Sequence, residues 1–104
     1  MNIEIIAPRL AELGHSTRLA IYRELIKAGN TGIAVGDIQK SLDIPNSTLS
    51  HHISRLMKVG LEKQLREGRT LFCIAECDAL NEVLNFLTQE CCINENCCTP
   101  QPCG

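Results

Sequence analysis

At Gly60 the apolar spacing of this chain changes period, and that change limits the folds open to it. Before it, Leu49, Ile53, Leu56 and Met57 recur every three to four residues, which marks one face of an α-helix. After it, residues 61–65 and 70–74 form two short runs separated by Arg66-Glu67-Gly68-Arg69, the pattern of a β-hairpin. A helix that stops at a glycine and hands over directly to a hairpin fits a mainly α fold with one β-hairpin.

The flanking segments narrow the choice. Residues 9–13 fit a short helix ending near Gly14. Ser16 or Thr17 is placed to cap a second helix, with Leu19, Ile21, Tyr22, Leu25 and Ile26 at helical spacing and Gly29 as its stop. Asn30-Thr31-Gly32 is a turn, and a short helix over residues 36–42 directs Ile38 and Leu42 inward. Asp43-Ile44-Pro45 then turns the chain into the helix of residues 46–59. Beyond the hairpin, Asp78 is placed to cap a last helix carrying Leu80, Val83, Leu84 and Leu87, and Cys91 continues the stripe. Asn94, Asn96, Pro100 and Pro102 forbid helix beyond about Cys92. The expected fold is mainly α with one β-hairpin, a winged helix-turn-helix, over residues 1–92. Residues 93–104 form a cysteine-rich tail.

Composition removes other classes. The chain has 104 residues, one domain's worth, with 44% apolar and only 3% aromatic. Three aromatics cannot build a stacking platform for single-stranded nucleic acid. No phosphate loop or paired-carboxylate motif is present, and His51 and His52 are far in sequence from the tail cysteines, so an enzyme is not expected. No stretch is long and apolar enough for a membrane span, and the first residues lack a secretory pattern, so a cytoplasmic protein is expected. The net charge of −2 argues against a nucleic-acid partner until its distribution is read. Residues 46–72 hold Arg55, Lys58, Lys63, Arg66 and Arg69 against Glu62 and Glu67, a local +3. Residues 73–104 hold five acids and no Lys or Arg.

The segment from Ser47 to Leu61 resembles the recognition helix of the ArsR/SmtB family of metal-responsive repressors. Ser47, Ser50, His52, Ile53, Leu56, Gly60 and Leu61 carry the resemblance, and Thr17-Arg18-Leu19-Ala20-Ile21 and the Arg66–Arg69 wing tip fit it too. Val59 and Glu62 depart from it, standing where the family more often has alanine and an aliphatic residue. The physical reading agrees on the partner, double-stranded operator DNA. Ser47, Thr48, Ser50 and His51 occupy the first turns of the helix, the part that meets base edges or phosphates. Arg55 is the long-reach candidate, and Arg66 and Arg69 are the phosphate or minor-groove candidates of the wing. His52 reads as a partly buried packing residue and His15 as an exposed turn residue.

Seven cysteines in 104 residues are unusual, and five lie in the last fourteen. Cys91-Cys92 and Cys97-Cys98 are adjacent pairs. Neighbouring Cα atoms about 3.8 Å apart fall below the usual disulfide range of roughly 4.4 to 6.8 Å. Such pairs serve better as two-thiolate chelates for soft ions. Three thiolates around trivalent arsenic make a neutral complex, whereas a tetrathiolate zinc site adds −2 to an acidic segment. The C-x4-C spacings of Cys92 to Cys97 and Cys98 to Cys103 also fit zinc, so spacing leaves the ion open.

The resemblance adds a subgroup whose arsenic site lies past the last helix, as a vicinal pair followed across five residues by a third cysteine. Cys91, Cys92 and Cys98 match it, with Cys97 and Cys103 as alternates. The expected ligand is As(III), then Sb(III), with Zn(II) or Cd(II) less favoured. Cys73 and Cys77 read as packing residues or inert thiols. The apolar stripes of the first and last helices have no helix of their own chain left to cover them, which implies a two-fold homodimer. The competing readings are a thiol-redox repressor of the same fold and a pure interaction module.

Overall fold

The computed structural model describes residues 2 to 90. Asn2 opens the first helix, its side chain accepting from the Glu4 amide at 2.8 Å. Helix α1 spans Ile3–Leu13, two turns longer at its start than the pattern implies. Pro8 masks those turns in the sequence, yet it stands inside the helix. A proline there forfeits one amide bond to the preceding turn. The packing of α1 on α2, α4 and α5, with Ile6 buried, holds the helix regardless.

Helix α2 spans Ser16–Ala28. Its cap is His15, whose Nδ1 accepts from the Thr17 amide at 3.2 Å, and not Ser16 or Thr17. The inward stripe also differs. Arg18, Ile21, Tyr22 and Leu25 are buried, while Leu19 and Ile26 are exposed. Helix α3 spans Val35–Leu42 and ends at Asp43, which takes a left-handed φ of 53°. Helix α4 spans Asn46–Lys58. Its end is a complete glycine cap: the Gly60 amide donates to Met57 O at 3.0 Å and the Leu61 amide to Leu56 O at 3.1 Å. Gly60 supplies the φ of 81° that this cap needs.

Strands β2 (Glu62–Glu67) and β3 (Thr70–Ala75) form the wing, antiparallel, with Glu67 paired to Thr70 across the loop Gly68-Arg69. A third strand, β1 (Ile33–Ala34), pairs with β3 and gives the order β1-β3-β2. Two residues carry no periodic signal, so the sequence showed only a turn there. Gly32 makes the pairing possible. It has φ 80°, and a Cβ on it would stand 2.8 Å from Ile74 Cγ1 and 3.0 Å from Cys73 O. Helix α5 spans Cys77–Thr88, two residues earlier than expected, with Glu76 and not Asp78 at the cap position.

The core is aliphatic, as so few aromatics require. Ile21, Leu25, Ile38, Leu49, Ile53, Leu56 and Leu61 pack around Tyr22, Cys73 and Ala75. This core fixes α4 against α2 and α3 on one side and the wing on the other. The tail cysteines Cys91, Cys92, Cys97, Cys98 and Cys103 lie outside the described residues, and so does the 92/93 boundary.

Candidate nucleic-acid interface

Helix α4 is divided cleanly by burial. Leu49, His52, Ile53 and Leu56 face the core. Ser47, Thr48, Ser50, His51 and Arg55 are all exposed on the outward side, joined by Ser54 and Lys58. The turn at residues 43–45 sets α4 against α3 as a helix-turn-helix, the arrangement that lets the second helix enter a major groove. The wing tip carries Arg66 and Arg69, both exposed. These two arginines, Asp37 and Lys40 line a groove of about 440 Å³ between the start of α3 and the wing. Lys40 is therefore a further basic group of the same surface. It escaped the sequence reading because it precedes the basic segment, and only the sheet brings α3 beside the wing.

A second polar assembly anchors α4 from behind. Arg55 donates both Nε and Nη2 to the Glu12 carboxylate of α1, at 2.8 and 3.0 Å. Glu12 also takes the Arg18 guanidinium at 3.1 Å, so one carboxylate holds two cations from α2 and α4. The Arg55 hydrogen bond keeps the Glu12 carboxyl below its ordinary range. Arg55 is thus both an exposed group of α4 and a strut to α1.

The three histidines of the chain meet here. The His52 ring lies 4.8 Å from that of His15 and 5.7 Å from that of His51, centroid to centroid. His52 is buried and its Nδ1 lies 3.0 Å from Arg18 Nη1. Arginine only donates, so Nδ1 accepts and the ring is neutral, with its proton on Nε2. Burial, then the Arg18 charge, hold its pKa below the ordinary histidine value. His52 is the packing residue the sequence indicated, with the added task of receiving Arg18. His15 is exposed, and its work is to cap α2.

Cys73 is fully buried, and burial pushes its thiol up to about 12, which makes it inert. Cys77 is exposed at the start of α5. Among the described residues no three His, Cys, Asp or Glu side chains are grouped to hold a metal ion.

Comparison with known proteins assigns the class. Residues 13–64 match the family described as a helix-turn-helix domain. An uncharacterized HTH-type transcriptional regulator of Methanocaldococcus jannaschii is 33% identical over 76 residues, covering 73% of this chain and 83% of that protein. The chain belongs to the helix-turn-helix family. It is an HTH-type transcriptional regulator with the winged helix-turn-helix fold of ArsR-family proteins. Nodulation protein NolR of Rhizobium meliloti is 29% identical over 87 residues, 84% of this regulator and 69% of NolR. An ArsR-like transcriptional regulator from a Rhodococcus species shares the fold at a TM-score of 0.73 and 23% identity, over 84% of this chain and 79% of that one. The regulator's relatives bind DNA and are not enzymes, and no described helix is long and apolar enough to cross a membrane.

Proposed function

We propose that this regulator is a dimeric repressor that leaves its operator when trivalent arsenic, or antimony, binds the thiolates of Cys91, Cys92 and Cys98. The observation that carries the reading is the position of this thiolate set. Helix α5 ends at Thr88, three residues before the vicinal pair in sequence, so α5 is the described element nearest along the chain to a bound ion. Cys97 and Cys103 are alternates for the third ligand. Three thiolates satisfy the pyramidal preference of As(III) and leave the complex neutral, whereas Zn(II) or Cd(II) would prefer a fourth.

Dimerisation is supported by the apolar groups that α1 and α5 leave uncovered. These two helices pack on each other, and Ile3, Ile5, Leu84 and Leu87 are between 49% and 62% exposed. A second copy placed across a two-fold axis covers them and offers two recognition helices to neighbouring half-sites. Ser47, Thr48, Ser50 and His51 then face base edges or phosphates, and Arg55, Arg66 and Arg69 supply charge. A coupling of about 1 to 3 kcal/mol between ion and operator lowers operator affinity by roughly 5- to 150-fold.

The test is release from operator DNA titrated with arsenite, antimonite, cadmium and zinc, with peroxide as a further arm. Release by arsenite first, lost in the doubly substituted Cys91→Ser, Cys92→Ser chain while DNA binding is kept, is the expected result. Indifference to arsenite removes the arsenic reading, and release by peroxide alone replaces it with thiol oxidation.

A further inference from the structure

The base of the wing holds an anomaly that repression does not use. Glu62, the first residue of β2, is 3% exposed, and neither carboxylate oxygen has a hydrogen-bond partner among the described residues. It pairs with Ala75, and its side chain lies on the core face of the sheet beside Cys73. The titratable and charged groups around it can be named. Cys73 faces it from β3, and Tyr22 approaches from α2. Around the Tyr22 hydroxyl stand Glu76 and Cys77 at the start of α5, and Arg9 of α1. Arg9 is the cation of this set, and it is committed elsewhere. It donates to Val59 O at 3.0 Å, to Ala79 O at 3.3 Å and to Glu82 at 2.9 Å. A carboxylate here has no counter-charge and only the weakly donating Cys73 thiol beside it, whereas a neutral carboxyl of the same shape fits.

We propose that Glu62 makes the attachment of the wing proton-dependent, so that the regulator holds its operator less tightly as the pH rises. Burial pushes the Glu62 carboxyl up to about 7, which brings its ionisation into the working range of a cell. Once ionised, the side chain is drawn toward water, which loads the start of β2 outward from the core. That start is bound to the body through Leu61, whose carbonyl accepts from Tyr22 Oη at 3.1 Å. Loosening it moves Arg66 and Arg69 relative to the end of α4. The inference rests on the operator-binding reading for its consequence, but not for the ionisation itself.

The experiment therefore has two arms. In the first, without DNA, the side-chain carboxyl carbon of Glu62 is followed by carbon-13 NMR from about pH 5 to about pH 9, with Glu62→Gln giving the assignment. The midpoint should fall near 7; a midpoint in the ordinary glutamate range overturns the proposal. In the second, binding to a duplex selected by the protein from a random-sequence library is measured by anisotropy over the same range. The wild-type affinity should drop by about fivefold or more across it. Glu62→Gln and Glu62→Leu should remove that drop, one keeping a polar group and the other filling the site with carbon. The same drop in both variants overturns the proposal, because His15, His51 and His52 would then account for it. Failure of any duplex to bind, with the NMR midpoint near 7, removes the operator reading and leaves the ionisation standing.

Discussion

Glu12 and Glu62 are two carboxyls largely withdrawn from solvent in one small domain, and their surroundings drive them in opposite directions. Glu12 stands where α1 meets α2 and α4, held by Arg18 and Arg55, and its carboxyl is kept below its ordinary range. Glu62 stands where the wing meets the core, with no cation and only the Cys73 thiol as a weak donor, and burial pushes its carboxyl up to about 7. Residue type therefore decides little about a buried acid. The supply of positive charge at the site decides whether it locks a joint or loads it. The recognition helix is locked from behind by the first carboxyl, and the wing beside it is loaded by the second.

The largest effect should come from neutralising the loaded site. Between about 4.5 and about 7 the folded chain binds more protons at Glu62 than the unfolded chain, so stability falls as pH rises through that window and stays lowered above it. Glu62→Gln should remove about 3 kcal/mol of this pH dependence, read by urea unfolding at several pH values. A parallel pH dependence in both proteins would erase the contrast. Next is the locked site. Glu12→Ala leaves the buried Arg18 without its carboxylate and should cost about 2 kcal/mol at neutral pH, again by urea unfolding. Unchanged stability would show that the cluster adds nothing.

A smaller effect of opposite pH sign belongs to His52. Its pKa is lowered in the fold, so the unfolded chain takes up the proton first and stability is lost as pH falls through the ordinary histidine value. His52→Asn should flatten that acid limb in thermal melts. The smallest change separates the two tasks of Arg55. If it takes a phosphate as well as Glu12, Arg55→Ala reduces the slope of log affinity against log salt by about one. If it is a strut alone, the slope holds. Arg66→Ala, with no acid partner among the described residues, should show the full reduction.

The sequence disclosed the helix-turn-helix and the wing because their signals are local. The period change at Gly60, the turn at residues 43–45 and the glycine in the wing tip each act within a few residues. It concealed the first turns of α1 behind Pro8, and β1 behind its length of two. It also concealed the Glu12 cluster, because Arg55 lies 43 positions from Glu12 and only the tertiary fold makes them neighbours. Glu62 was visible as a departure from the family pattern, a polar residue in place of an aliphatic one. Its burial was not visible, because an alternating strand shows which residues share a face but not which acid will lack a cation. The outward residues Ser47, Thr48, Ser50 and His51 were readable in advance, since the helical period that buries Leu49, His52, Ile53 and Leu56 leaves them on the other side.

The backbone of Leu61 ties three helices together. The Leu61 amide donates to Leu56 O at the end of α4, and the Leu61 carbonyl accepts both Tyr22 Oη and the Glu76 amide, the latter at 2.8 Å just before α5. Recognition helix, second helix and last helix are thus pinned at a single fulcrum. A tilt of α5 about its own start turns on the same pivot that fixes the angle of α4, and a lever arm of twelve residues multiplies a small push at its far end.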